Sequence, residues 1–162
     1  MLYPITFSIP EEKIIDYIPK KIKILANIIP GDQKTYIFNT EQEYYKDYQI
    51  SLFAITKKKA GWDALRHYEI MANACIPVFL NIQDCPFKSI SLLPKQLFME
   101  ANKLFHELKN KHFSELTRIE LDKCYILIKK LLDYTRENLT TKQLARYVLK
   151  ETNNENIKNL LY

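Results

Sequence analysis

Glycine is nearly missing from this chain of 162 residues: Gly31 and Gly61 stand alone, where ordinary usage of about 7% would supply roughly eleven. Few positions can therefore take up positive φ without steric cost. There is no Gly-x-Gly-x-x-Gly and no Walker loop, which argues against a dinucleotide enzyme and a P-loop kinase, because both bring glycine backbone against phosphate. No Asp-x-Asp occurs, so metal dependence is not indicated and no cofactor is expected. The three cysteines, Cys75, Cys85 and Cys124, are odd in number, widely spaced and match no zinc pattern. They favour reduced thiols and a cytoplasmic setting. Uninterrupted apolar runs fall short of the roughly 18 residues of a membrane span. The opening Met1-Leu-Tyr-Pro-Ile-Thr-Phe-Ser-Ile-Pro10 has neither a basic start nor a small-residue cleavage site, and reads as a strand rather than a secretory signal. The charge imbalance is slight. A net +5 suits a phosphorylated ligand, but Glu100, Glu107, Glu115, Glu120 and Asp122 interrupt the basic helices, so a nucleic-acid track is not expected.

What is present is ample apolar material, 47% of residues, arranged in two kinds of pattern. Up to about residue 93 the chain alternates. Residues 3–9, Ile22–Ile29, Thr35–Phe38, Ser51–Ile55 and Ile76–Leu80 read as strands. Glu11–Ile18, a segment from Thr40 to Tyr48, and Trp62–Ala74 read as helices, the second opened by a Thr40…Glu43 capping box. Ser51–Ile55 is wholly apolar after its serine, as in a strand buried on both faces. From Pro94 the period is helical: Lys95–Lys111, Ser114–Glu137 and Thr141–Lys150. The expectation is an α/β fold, a small parallel Rossmann-like sheet with crossover helices (1–93) followed by a helical C-terminal part (94–154). Residues 155–162 read as the start of a further strand, so the chain is expected to be a piece of a longer protein.

The candidate site lies between two of these strands. After Ser51–Ile55 come Lys57, Lys58, Lys59, then Gly61 and Trp62, then Arg66, His67 and Glu69. Ligands of open α/β sheets bind outside the carboxyl ends of strands, where the next helix offers free N–H groups to phosphate. The lysines would supply positive charge there, and the planar fork of Arg66 could grip two phosphate oxygens. Glu69, three residues on, could accept from ribose hydroxyls. Plainer readings stand beside these. Lys57–Lys59 reads equally as a solvated loop, and Arg66 as a helix-surface ion pair with Asp63 or Glu69. His67 reads as a packing or capping residue rather than a base, and Trp62 as either a stacking platform or a hinge-packing aromatic.

Ser51-Leu-Phe-Ala-Ile, Gly61-Trp-Asp and Arg66-His-Tyr-Glu-Ile-Met-Ala-Asn-Ala-Cys-Ile-Pro-Val-Phe79 together resemble the donor-side motif of exostosin-like glycosyltransferases. The match covers about thirty residues. The resemblance implies the C-terminal, nucleotide-sugar-binding domain of a GT-B enzyme, with Arg66 on the diphosphate and Glu69 on the ribose. It implies a UDP- or GDP-linked sugar donor, a glycan or other hydroxyl acceptor, and a second domain or subunit. Three departures accompany it, the first being that Ala60 precedes Gly61, so that loop has only one free hinge. Ala74 stands where the family has glycine at the turn into a strand, and the stretch before Ser51 is too short for a second Rossmann domain, so no catalytic base can be assigned. The competing expectation is a non-catalytic scaffold of the same shape, or a protein-interaction module acting through the 95–150 helices.

Overall fold

In a computed structural model of the chain, residues 4–151 are described. Three parallel strands, β1 (Lys23–Leu25), β2 (Ser51–Lys57) and β3 (Ile76–Leu80), form a sheet in the order β1-β2-β3. Phe53 is in register with Leu25 on one side and Ile76 on the other. The fold is α/β, as the alternating pattern leads one to expect. β2 lies in the middle and is buried from Ser51 to Thr56, which explains its unbroken apolar run.

Helix α1 (Glu41–Ile50) opens with the Thr40–Glu43 capping box and passes straight into β2 without a loop. Helix α2 (Leu65–Ala72) joins β2 to β3. It ends in a Schellman motif: the Cys75 N–H donates to the Ile70 carbonyl and the Ala74 N–H to the Met71 carbonyl, both at 3.1 Å. Ala74 occupies the left-handed position with φ 51°, so the turn is made at a steric cost that glycine would avoid.

Helices α3 (Lys95–Leu108) and α4 (Arg118–Asn138) cover the sheet, and α5 (Thr141–Glu151) follows. Phe98, Leu104, Leu127, Ile128 and Leu131 share one core with Phe53, Val78 and Phe79. That core runs across residue 93 and joins the sheet to the helical part. A second, smaller cluster of Ala26, Tyr48, Ala54, Ile70 and Cys75, with Tyr44 and Tyr45 against it, lies between the sheet and the helices α1 and α2.

Several predicted elements take other forms. Residues 4–9 are not a strand; Ile9 makes one isolated bridge with Thr140. Glu11–Ile18, hemmed by Pro10 and Pro19, shrinks to a 3-10 turn at Glu11–Lys13, since so short a segment cannot sustain a nucleus. Thr35–Phe38 is not a strand either. The Asp32 side chain accepts from the Lys34 N–H and the Thr35 hydroxyl donates to the Asp32 carbonyl, which curls Gln33–Thr35 into a 3-10 turn. The strand read over Ile22–Ile29 keeps three residues, and the helix read from Trp62 starts at Leu65. The strand read within 157–162 falls outside the described residues. Among the described residues no helix is long and apolar enough to cross a membrane.

A buried amine ties the sheet layer together. Lys21 is 1% exposed, and its Nζ donates to the carbonyls of Ala74 at 2.6 Å, Gln49 at 2.7 Å and Tyr48 at 3.5 Å. One ammonium thus satisfies the C-terminal end of α1 and the turn after α2, where helix dipoles favour a cation.

Candidate functional site

Beyond the carboxyl end of β2 lies a cleft of about 250 Å³, bordered by Pro30, Tyr44, Lys57, Lys59, Arg66 and Glu69. Each wall has a local cause. Lys57 ends β2. Lys59 is set by a tight turn in which its N–H donates to the Gly61 carbonyl at 3.1 Å. Arg66 and Glu69 stand one turn apart on α2, whose N-cap position, Ala64, offers no side-chain acceptor, leaving first-turn N–H groups at the cleft edge. The loop carrying Pro30 turns at Gly31, φ 93°. A Cβ there would come within 2.7 Å of the Lys57 Nζ, which as the end of a long side chain could shift, so it is the backbone angle that calls for glycine.

Four of the residues singled out from sequence therefore converge: Lys57, Lys59, Arg66 and Glu69. Three do not line the cleft. Lys58 is exposed, with its Nζ 5.2 Å from the Trp62 ring centroid. Gly61 is exposed, has open space where a Cβ would go, and needs no positive φ. Trp62 packs against the core, its ring 6.1 Å from that of Phe79, which is the hinge-packing arrangement. His67 is fully buried between the Thr56 hydroxyl and the Trp62 carbonyl. A carbonyl can only accept, so Nε2 carries the proton and Nδ1 accepts from Thr56. Burial lowers the His67 pKa, and the ring stacks on Phe79 at 4.5 Å, a packing role.

The ion pairs that would make Arg66 an ordinary surface residue are not formed. Among the described residues no salt bridge joins it to Asp63 or Glu69. Asp63 instead accepts from the Phe7 N–H and the Tyr68 hydroxyl, at 2.7 and 3.0 Å. Arg66 donates from Nη2 to the Tyr36 hydroxyl at 3.2 Å, with its Cζ 5.6 Å from the Tyr36 ring centroid. Its Nη1 is buried and has no hydrogen-bond partner among the described residues, although a buried guanidinium nitrogen left unpaired carries a substantial penalty. Burial acts to lower the Arg66 pKa, but the Tyr36 bond and the neighbouring phenols outweigh it and the pKa is raised.

Glu69 is half-buried and accepts from two phenols, Tyr44 at Oε2 and Tyr45 at Oε1, both at 3.3 Å. Burial raises its pKa, with the Tyr45 and Tyr44 hydrogen bonds and the Arg66 charge opposing. The Tyr48 hydroxyl donates in turn to Tyr44. Sequence reasoning missed Tyr36, Tyr44 and Tyr45. The signal available for the last two was Tyr44-Tyr45-x-x-Tyr48 on the helix leading into the buried strand, a spacing that puts Tyr44 and Tyr48 on one face. Tyr36 lay in a segment misread as a strand.

A larger groove of about 720 Å³ runs between Asn27, Phe38, Gln42 and Asp47. Two of its charges, Lys23 and Asp47, are already paired with each other, and Asp47 also accepts from the Asn27 N–H. Among the described residues no group of His, Cys, Asp and Glu is suited to hold a metal ion. Compared with known proteins, the chain matches no family model, and no curated protein or solved structure is significantly similar to it.

Proposed function

We propose that this chain binds the nucleotide of an activated sugar in the cleft beyond β2 and is the donor-side part of a glycosyltransferase that passes the sugar to an acceptor hydroxyl. The observation that carries the reading is Arg66: a buried guanidinium nitrogen without a hydrogen-bond partner or salt bridge among the described residues, in a cleft shared with Lys57, Lys59 and Glu69. An anion with several oxygens suits a cleft walled by Lys57, Lys59 and Arg66. Cleavage of a sugar–diphosphate bond builds negative charge on the departing phosphate, and fixed cations lower the barrier without reorganising. Ligand clefts run from roughly 300 to 1,000 Å³; at about 250 Å³, this one holds a diphosphate with its pentose and leaves base and sugar to a facing domain. The acid–base group would come from that second domain or subunit. Free thiols at Cys75, Cys85 and Cys124 fit action in the reducing cytoplasm.

Calorimetric titration with UDP and GDP tests the reading. Binding that weakens in Arg66→Ala and Glu69→Ala supports it; no heat and no thermal shift with either nucleotide removes it. A non-catalytic interaction module is favoured by one observation. Ile119 and Ile126, seven residues apart on α4, are 70% and 56% exposed, and residues at that spacing share a helix face. Size-exclusion with light scattering tests that alternative, and a clean monomer would count against it.

A further inference from the structure

We infer that Tyr44 and Tyr45 are positioning residues, which hold both oxygens of the Glu69 carboxylate and keep it aimed and charged toward the pentose of the bound nucleotide. The inference rests on the nucleotide reading above and goes beyond it, because neither phenol belongs to the Arg66–Glu69 pattern.

The geometry is specific. The two hydroxyls take one carboxylate oxygen each, so the plane of the group is fixed by two donors on successive residues of α1. A carboxylate has about four lone-pair sites, and two remain for ligand hydroxyls. The phenols are themselves held. Tyr48 donates to Tyr44 from one turn further on, and the rings of Tyr44 and Tyr48 meet edge to face at 4.7 Å. Lys13 stands 5.9 Å over the Tyr45 ring and pairs with Glu41. α1 in turn is anchored at both ends, by its capping box and by its direct run into β2.

The charge balance explains why two donors are needed. Glu69 is deprived of water by burial, and Glu41 on α1 repels it; Arg66 on α2 attracts it, and Lys57 and Lys59 share the same cleft. Without the phenols, burial would push the carboxyl further toward its neutral form, and a protonated acid would turn one acceptor into a donor. Tyr44 and Tyr45 are suited to the task because both remain protonated at neutral pH: burial pushes Tyr44 up to about 12 and drives Tyr45 up as well.

The test compares Tyr45→Phe and Tyr44→Phe with the unaltered chain, titrating UDP and inorganic pyrophosphate across pH 5 to 8. Pyrophosphate has no pentose, so it reports the cationic part alone. The expected result is a fall of about tenfold in UDP affinity, little change for pyrophosphate, and a shift of the acid limb of the UDP-to-pyrophosphate ratio to higher pH. The Glu69 carboxyl resonance of the free protein should move its midpoint up in parallel. Tyr45→Phe leaves the Tyr48–Tyr44 bond intact, so it serves if Tyr44→Phe folds poorly. If UDP binds and both variants keep its affinity and pH limb, the positioning role is wrong while the nucleotide reading stands. If the unaltered chain binds pyrophosphate no less tightly than UDP, Glu69 does not meet a pentose and the inference falls. If it binds neither, both fall together.

Discussion

Two cations are withdrawn from solvent, Lys21 fully and Arg66 in part, and they are treated in opposite ways. The ammonium of Lys21 is surrounded by three carbonyls and lines none of the clefts described above. The guanidinium of Arg66 is given one phenol, keeps a nitrogen unpaired, and borders a cleft with two lysines and a carboxylate. Burial alone thus does not mark a functional charge. What distinguishes them is whether the fold completes their hydrogen bonding, and a residue left incomplete beside open space is the one with capacity for a ligand.

The sharpest way to break this comparison is to remove each cation in turn. Lys21→Met should cost about 2–4 kcal/mol of stability, since it orphans carbonyls at two helix ends, and should leave UDP affinity of the folded protein unchanged; urea unfolding and calorimetry read the two quantities. Arg66→Ala should do the reverse, weakening UDP by at least about tenfold (~1.4 kcal/mol) with the urea midpoint nearly unmoved. A loss of stability in Arg66→Ala matching that of Lys21→Met would erase the distinction.

Alkaline titration sharpens it further. Burial lowers the Lys21 pKa from 10.5 to about 8, so above pH 8 the unfolded chain holds more protons at this site and stability rises with pH. Burial raises Cys75 and Cys124 from 9.0 to about 12, and Tyr44 from 10.0 to about 12. For these groups the folded state keeps protons the unfolded chain gives up, so stability is lost as pH climbs from about 9 toward 12. Unfolding free energy should therefore rise slightly from pH 8 to 9 and then fall. Urea midpoints at half-unit steps measure it, and Lys21→Met should lose the early rise alone. Arg66, with its pKa raised, contributes no such step.

The smallest effect concerns the turn to which Lys21 is tied. Ala74→Gly removes the left-handed strain at φ 51° and should stabilise by about 0.5 kcal/mol once glycine's greater freedom in the unfolded chain is subtracted. A lower thermal midpoint in this variant would mean that the buried methyl matters more than the backbone angle.

Much of this arrangement is readable in the sequence where a local rule acts alone. Thr40 and Glu43 predict a cap that forms. Ser51–Ile55 and Ile76–Leu80 predict neighbouring parallel strands, and Ala74 predicts a turn lacking its easy residue. The reading fails where the deciding partner is distant. Asp63 is taken up by the Phe7 N–H and Tyr68, which leaves Arg66 without that acid. Lys21, among many lysines, gives no sign that three carbonyls await it. Residues 4–9 and Thr35–Phe38 have strand composition, but Ile9 makes one bridge only, to Thr140, and the Asp32 contacts curl Gln33–Thr35 into a 3-10 turn. The basic loop illustrates the same limit: its three lysines are alike in sequence, yet Lys57 and Lys59 border the cleft while Lys58 faces Trp62.

The absence of any connector between α1 and β2 has an evolutionary corollary. With Ile50 the last helical residue and Ser51 the first of the strand, there is no slack to absorb an insertion or deletion. One added residue within the helix after Tyr45 would rotate both phenols by about 100° against the sheet and swing them off the acid they brace. Lineages carrying this protein should therefore keep the interval from Tyr44 to the middle strand constant to the residue.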